Sequence, residues 1–128
     1  MFSHERLDVY RKALEFIEWL APLLSRLAEA PTPTGELRSQ LDRASLSILL
    51  NIAEGNGKRK PALRARFFDD ARGSGTECAA CLDAAVAKGL CNPSEVRPGK
   101  SHLDRIVAML TKLIALNDSV SAPPKSPS

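Results

Sequence analysis

The stretch Ala44-Ser-Leu-Ser-Ile-Leu-Leu-Asn-Ile-Ala53 decides the fold. The alternation of Ala44-Ser-Leu-Ser-Ile48 breaks at Leu49-Leu50 and is not bounded by hairpin turns, so it does not read as a half-buried strand. It is also far too short to cross a bilayer, which takes about 20 apolar residues. Read as a helix it is apolar nearly all round, and such a helix lies at the centre of a bundle or under another subunit. The polar residues Ser47, Asn51 and Glu54 fall on adjacent turns of one of its faces.

Working outward, the same segment extends into a helix over 33–54. Thr32 is expected as its N-cap and Pro33 at the first helical position, where a missing N–H costs nothing. Leu37, Leu41, Ala44, Ile48 and Ile52 supply the buried stripe, and Gly55 reads as the stop. Upstream, a first helix over 8–28 carries two stripes. One is Tyr10, Leu14, Ile17, Leu20 or Ala21, Leu24 and Leu27; the other is Val9, Phe16, Leu20, Leu23 and Leu27. Together they are wider than one packing partner needs, and Pro22 is expected to kink or bend the helix. Downstream, the connection Gly55-Asn-Gly-Lys-Arg-Lys60 is short, so a third helix over 61–88 packs antiparallel to the second. Gly73 and Gly75 mark a place where that helix is open to a break, and Gly89 is its stop. Asn92-Pro93-Ser94-Glu95 has the form of a capping box, after which Pro98-Gly99 is expected to interrupt. A fourth helix is firm over 101–117, and 119–128, with three prolines and three serines, reads as a disordered tail.

The fold class is therefore all-α, an antiparallel up-down-up-down four-helix bundle, with one domain over 1–118. Composition agrees. Apolar residues make up 44% of the chain and charged residues 26%, as in a folded soluble protein. Aromatics are only 5%, which leaves a core of Leu, Ala, Ile and Val and favours helix packing over sheets. No signal-like apolar segment follows Met1, and Cys78, Cys81 and Cys91 read as free thiols of a reducing compartment. The expectation is a cytoplasmic protein without a membrane role.

Motifs for chemistry fail on inspection. Cys78-Ala-Ala-Cys81 lies among alanines inside a helix, without the knuckle loop that presents a Cys pair to metal, so core thiols are expected. Gly55-Asn-Gly57-Lys58 lacks the spacing of a phosphate loop, since Ile52 stands where its first Gly belongs and Arg59 where its Ser or Thr belongs. His4 and His102 have no evident nucleophile or carboxylate partner. No catalytic residue, no metal and no cofactor is expected, and the chain does not read as an enzyme.

Two constellations remain. The first is the basic run Lys58, Arg59, Lys60, Arg64 and Arg66, with no acid between Glu54 and Asp69. It covers one loop and the start of one helix, at one end of the bundle, and suits contact with a phosphate backbone. No aromatic is interleaved, so base stacking is not indicated. The net charge of +3 is too small to argue the same by itself. The second is a polar set in apolar surroundings: Gln40 and Arg43 opposite Ser74 and Glu77, and Asn51 with Glu54 nearer the loop, Ser47 lying between on the same face. Two polar layers that fix helix register are expected from it.

These residues also carry a resemblance. Leu7-Asp-Val-Tyr10, then Gln40-Leu-Asp-Arg43-Ala-Ser-Leu-Ser47-Ile-Leu-Leu-Asn51-Ile-Ala-Glu-Gly55, then Ala71-Arg-Gly-Ser74-Gly-Thr-Glu77 resemble the bacterial S23, or 23S rRNA intervening-sequence, family over about residues 5–117. The resemblance implies a four-helix bundle that assembles as a homopentamer. The family includes proteins similar to the accessory protein of diversity-generating retroelements. That similarity implies RNA or DNA binding on a basic surface and a reverse transcriptase as protein partner. A protein-interaction scaffold with no nucleic-acid role is the alternative.

Overall fold

The computed structural model describes residues 4–121, and they form four helices, α1 (His4–Ala28), α2 (Gly35–Gly57), α3 (Pro61–Ala87) and α4 (Pro93–Ser121). No strand occurs among the described residues. Each helix packs on its neighbours in sequence and α1 closes onto α4, with no close backbone approach across either diagonal among the described residues. This is the square of an up-down-up-down bundle, as the short connections require. No helix among the described residues is long and apolar enough to cross a membrane.

The core shows which stripe of α1 faces inward. Val9, Ala13, Phe16, Leu20, Leu23 and Leu27 are buried, at alternating steps of four and three. Tyr10 and Leu24 only pack against the core's edge, and Leu14 is exposed. The second stripe is thus the core face, and the first runs along the bundle's outside. Leu41, Ala44, Ile48 and Ile52 of α2, Phe68, Ala71, Cys78 and Leu82 of α3, and Leu103, Ile106 and Leu110 of α4 complete the interior. Each large aliphatic or aromatic side chain so buried contributes about 1.5–3 kcal/mol. Pro22 is exposed and α1 continues through it.

Boundaries differ from expectation where a residue has a job in packing. Gly55 does not stop α2, which runs on to Gly57. A Cβ at Gly55 would sit 2.7 Å from the Phe68 ring, so this glycine is a notch for a buried aromatic. Thr34, not Thr32, precedes α2. Its hydroxyl donates to the Leu27 carbonyl at the end of α1 (2.6 Å) and accepts from Arg38 Nε (3.1 Å), tying two helix ends together. α3 is unbroken across Gly73 and Gly75. It ends where Gly89 adopts φ +75°, with the Gly89 N–H on the Val86 carbonyl and the Leu90 N–H on the Ala85 carbonyl.

The largest correction concerns α4. It begins at Pro93 and passes through Pro98-Gly99 as one helix. The N-cap half of the capping box forms as read, with Asn92 Oδ1 accepting from the Glu95 N–H (3.0 Å), while Glu95 Oε1 accepts from the Asn92 side-chain Nδ2 (3.0 Å) and not from its backbone N–H. Gly99 is another notch, since a Cβ there would fall 2.2 Å from the Trp19 ring. At the other end α4 reaches Ser121, beyond the expected 117 and into the segment read as tail. The rest of that segment, 122–128, lies outside the described residues.

Candidate functional site

α2 ends as Lys58 turns into extended backbone (φ −87°, ψ 142°), and Lys60 leads into Pro61 at the first position of α3. Three cationic residues therefore make up the whole connection. Arg59 and Lys60 are exposed. Lys58 is half-buried: its Nζ lies 3.6 Å from Glu54 and 5.3 Å from the centroid of the Phe67 ring. Part of its charge is thus already engaged. Arg66 is exposed on α3, in a groove shared with Asp69, Arg72 and Asp118.

Arg64 differs from the others. It is half-buried, and its guanidinium donates to the carbonyls of Lys58 (3.0 Å) and Arg59 (2.8 Å) and to Asn117 Oδ1 on α4 (2.8 Å). The structure thus brings all five residues of the run to one end of the bundle but turns Arg64 inward. It also adds a residue that linear reading missed. The Arg6 carbonyl accepts from Asn56 Nδ2 (3.5 Å), which places the start of α1 beside the end of α2. Burial, and then the nearby Arg64 charge, push the Arg6 pKa downward. The basic end of the bundle therefore includes Arg6. The signal that would have found it is topological: antiparallel packing puts the first turns of α1 beside the 58–60 connection.

The polar set resolves into one layer rather than two. Ser74 Oγ donates to Ser47 Oγ across α2 and α3 (2.9 Å), and Asn51 Nδ2 donates to the same hydroxyl oxygen (3.0 Å) and to the Ser47 carbonyl (2.9 Å). Glu54 is not in that layer, since its carboxylate faces outward beside Lys58. Gln40, Arg43 and Glu77 join Ser47 and Ser74 in lining a groove of about 330 Å³ between α2 and α3. Gln40 is half-buried while Arg43 and Glu77 are exposed, so the groove has a polar floor and a charged rim. A half-buried hydroxyl–amide cluster of this kind helps to fix the register of two helices.

The thiols are held in their protonated form. Burial, reinforced by Cys81 and Glu77, pushes Cys78 up to about 12. Burial also raises Cys81 and Cys91, the latter with its Sγ 3.9 Å from Arg26 Nη2. None is a ready thiolate near neutral pH. No cluster of three or more His, Cys, Asp or Glu suited to a metal occurs among the described residues. What the arrangement can do chemically is hold a polyanion by its charge at the loop end and hold helices in register at the groove.

The family model of the 23S rRNA-intervening sequence protein matches residues 5–112, which takes in α1 to α3, the basic loop, the polar layer and most of α4. The chain belongs to that family. No curated protein matches the chain.

Proposed function

We propose, with membership of that family as the premise, that this protein is a non-enzymatic, cytoplasmic homo-oligomer that binds the RNA or DNA backbone through the 58–60 loop. The observation that carries this reading is the gathering of Lys58, Arg59, Lys60, Arg66 and Arg6 at one end of the bundle, with Arg59 and Lys60 exposed. Exposed cations on a short, anchored loop gain affinity by releasing counterions from phosphates. Assembly multiplies the effect. In a homopentamer the two exposed loop cations Arg59 and Lys60 alone would give a ring of about ten positive charges, so affinity should fall steeply with salt. Assembly is supported by the apolar side chains that the single chain leaves uncovered: Leu46 and Leu50 are 49% and 54% exposed on α2, and Leu7 and Leu14 line the outer stripe of α1.

The test is titration of labelled RNA and DNA with the wild-type oligomer and with Arg59→Glu/Lys60→Glu at two salt concentrations. Binding at low salt that the double variant loses supports the reading. No binding by the wild type, or equal binding by the variant, overturns it. A second reading, a scaffold that docks another polypeptide such as a reverse transcriptase, is favoured by the same exposed leucines together with the charged rim of the α2–α3 groove. A protein partner whose capture resists nuclease and salt, and is lost in Leu46→Glu, would select it.

A further inference from the structure

The structure assigns Arg64 as the latch that positions the basic loop, a positioning residue and not one of the groups that touch phosphate. The assignment rests on the reading of the loop as a phosphate-contact surface, but its geometry stands apart from that reading. Lys58 is the C-cap of α2, where backbone carbonyls are left without helical partners. Arg64 lies one turn into α3, its own N–H bonded to the Lys60 carbonyl (3.1 Å), and its side chain folds back across the connection. One nitrogen, Nη1, takes both the Lys58 and Arg59 carbonyls, while Nε takes Asn117. Arginine donors near a helix C-terminus satisfy such orphan carbonyls and offset the negative end of the helix dipole.

Asn117 completes the device. It is buried, and its Nδ2 donates to the Leu113 carbonyl one turn back (2.8 Å), which leaves Oδ1 fixed toward Arg64. No side chain caps α3 at Lys60, and Arg64 anchors the backbone carbonyls of this connection beside the contacts that Lys58 makes with Glu54 and Phe67. Three acceptors around one planar fork is an arrangement that a lysine ammonium on its flexible stem cannot reproduce. With the loop carbonyls drawn inward, Arg59 and Lys60 stay exposed on a backbone that is already ordered. Binding through them then avoids the cost of immobilising a loose loop. The last turns of α4, remote in sequence, become part of the support of the binding surface.

The experiment uses the full chain and five variants, Arg64→Lys, Asn117→Ala, Asn117→Asp, Arg64→Gln and Arg59→Gln, with circular dichroism to confirm the fold. Limited trypsin digestion, read by mass, reports cleavage after Lys58 and Arg59. Titration of a labelled single-stranded RNA through a salt series reports affinity. A latch predicts several-fold faster loop cleavage in Arg64→Lys and Asn117→Ala, and less loss of protection in Asn117→Asp than in Asn117→Ala, because the carboxylate keeps an acceptor for Arg64 while losing the bond to the Leu113 carbonyl. It also predicts RNA binding weakened about three- to ten-fold in the first two, with the salt slope unchanged because no phosphate contact is lost. Arg59→Gln should instead lower that slope by about one. Wild-type protection and affinity in both Arg64→Lys and Asn117→Ala would overturn the assignment. So would an Arg64→Gln variant whose only defect is a lower salt slope. If the wild type binds no RNA, the proposed function fails, and the cleavage pattern alone still decides for or against the latch.

Discussion

α2 and α4 are both long helices that pack on two neighbours, yet they meet solvent in opposite ways. The outward positions of α4 are Ser101, Arg105, Ala108 and Lys112, and its sides are tied to adjoining helices by polar side chains. Glu95 pairs with Arg26 on α1 and His102 Nδ1 lies 3.9 Å from Glu15 Oε2, while Lys100 pairs with Asp83, and Thr111 with Arg72, on α3. On α2 the central outward positions are Leu46 and Leu50, and its links to neighbours are the uncharged Ser47–Ser74 and Asn56–Arg6 bonds. The difference teaches where each helix expects water. α4 is finished as a surface outside its last turns, where Leu116 and Val120 are exposed, whereas α2 is finished as an interior in a place the single chain does not cover.

Replacing both Leu46 and Leu50 by Glu attacks this contrast most directly, and light scattering should show the largest effect. The wild type should be an oligomer and the double variant a monomer, with unfolding free energy of the isolated bundle changed by only about 0.5 kcal/mol. Equal particle sizes would remove the distinction between the two helices. The next effect is expected at the joint between α1 and α4. Gly99→Ala drives a methyl into the Trp19 ring, and urea unfolding should register a loss of about 1–3 kcal/mol. Gly73 sharpens the point from the opposite direction, because nothing lies within 4 Å of a Cβ built there. Gly73→Ala should therefore stabilise by up to about 1 kcal/mol through helix propensity. Smallest is Asp83→Asn, which removes an exposed ion pair of α4; a change of about 0–1 kcal/mol is expected, shrinking further in high salt.

How far the sequence could be read follows from which signals are local. Helix identity, the Asn92 N-cap and the Gly89 stop depend on a few adjacent residues, and all three appear as expected. Gly55 and Gly99 misled because a glycine seen alone reads as a breaker. Their purpose is set by Phe68 and Trp19, side chains that only the folded bundle brings against them. The two stripes of α1 were visible, but both repeat at helical spacing, so choosing the inward one required knowing where α2 and α4 sit. At the candidate site, the basic run was legible as composition. That Arg64 faces inward, and that Arg6 joins the run, depends on Asn117 and Asn56 arriving from other helices.

The joint at Gly99 has one more consequence. Trp19 is the chain's single tryptophan, half-buried, stacked on Phe16 with ring centroids 5.9 Å apart and seated over the backbone of Gly99. Its emission therefore reports from one place only, the seam where the bundle closes on itself. A red shift would mark the parting of the first and last helices without any attached label. Followed beside particle size during dilution, that colour would tell whether the subunits of the proposed oligomer separate as intact bundles or open as they part.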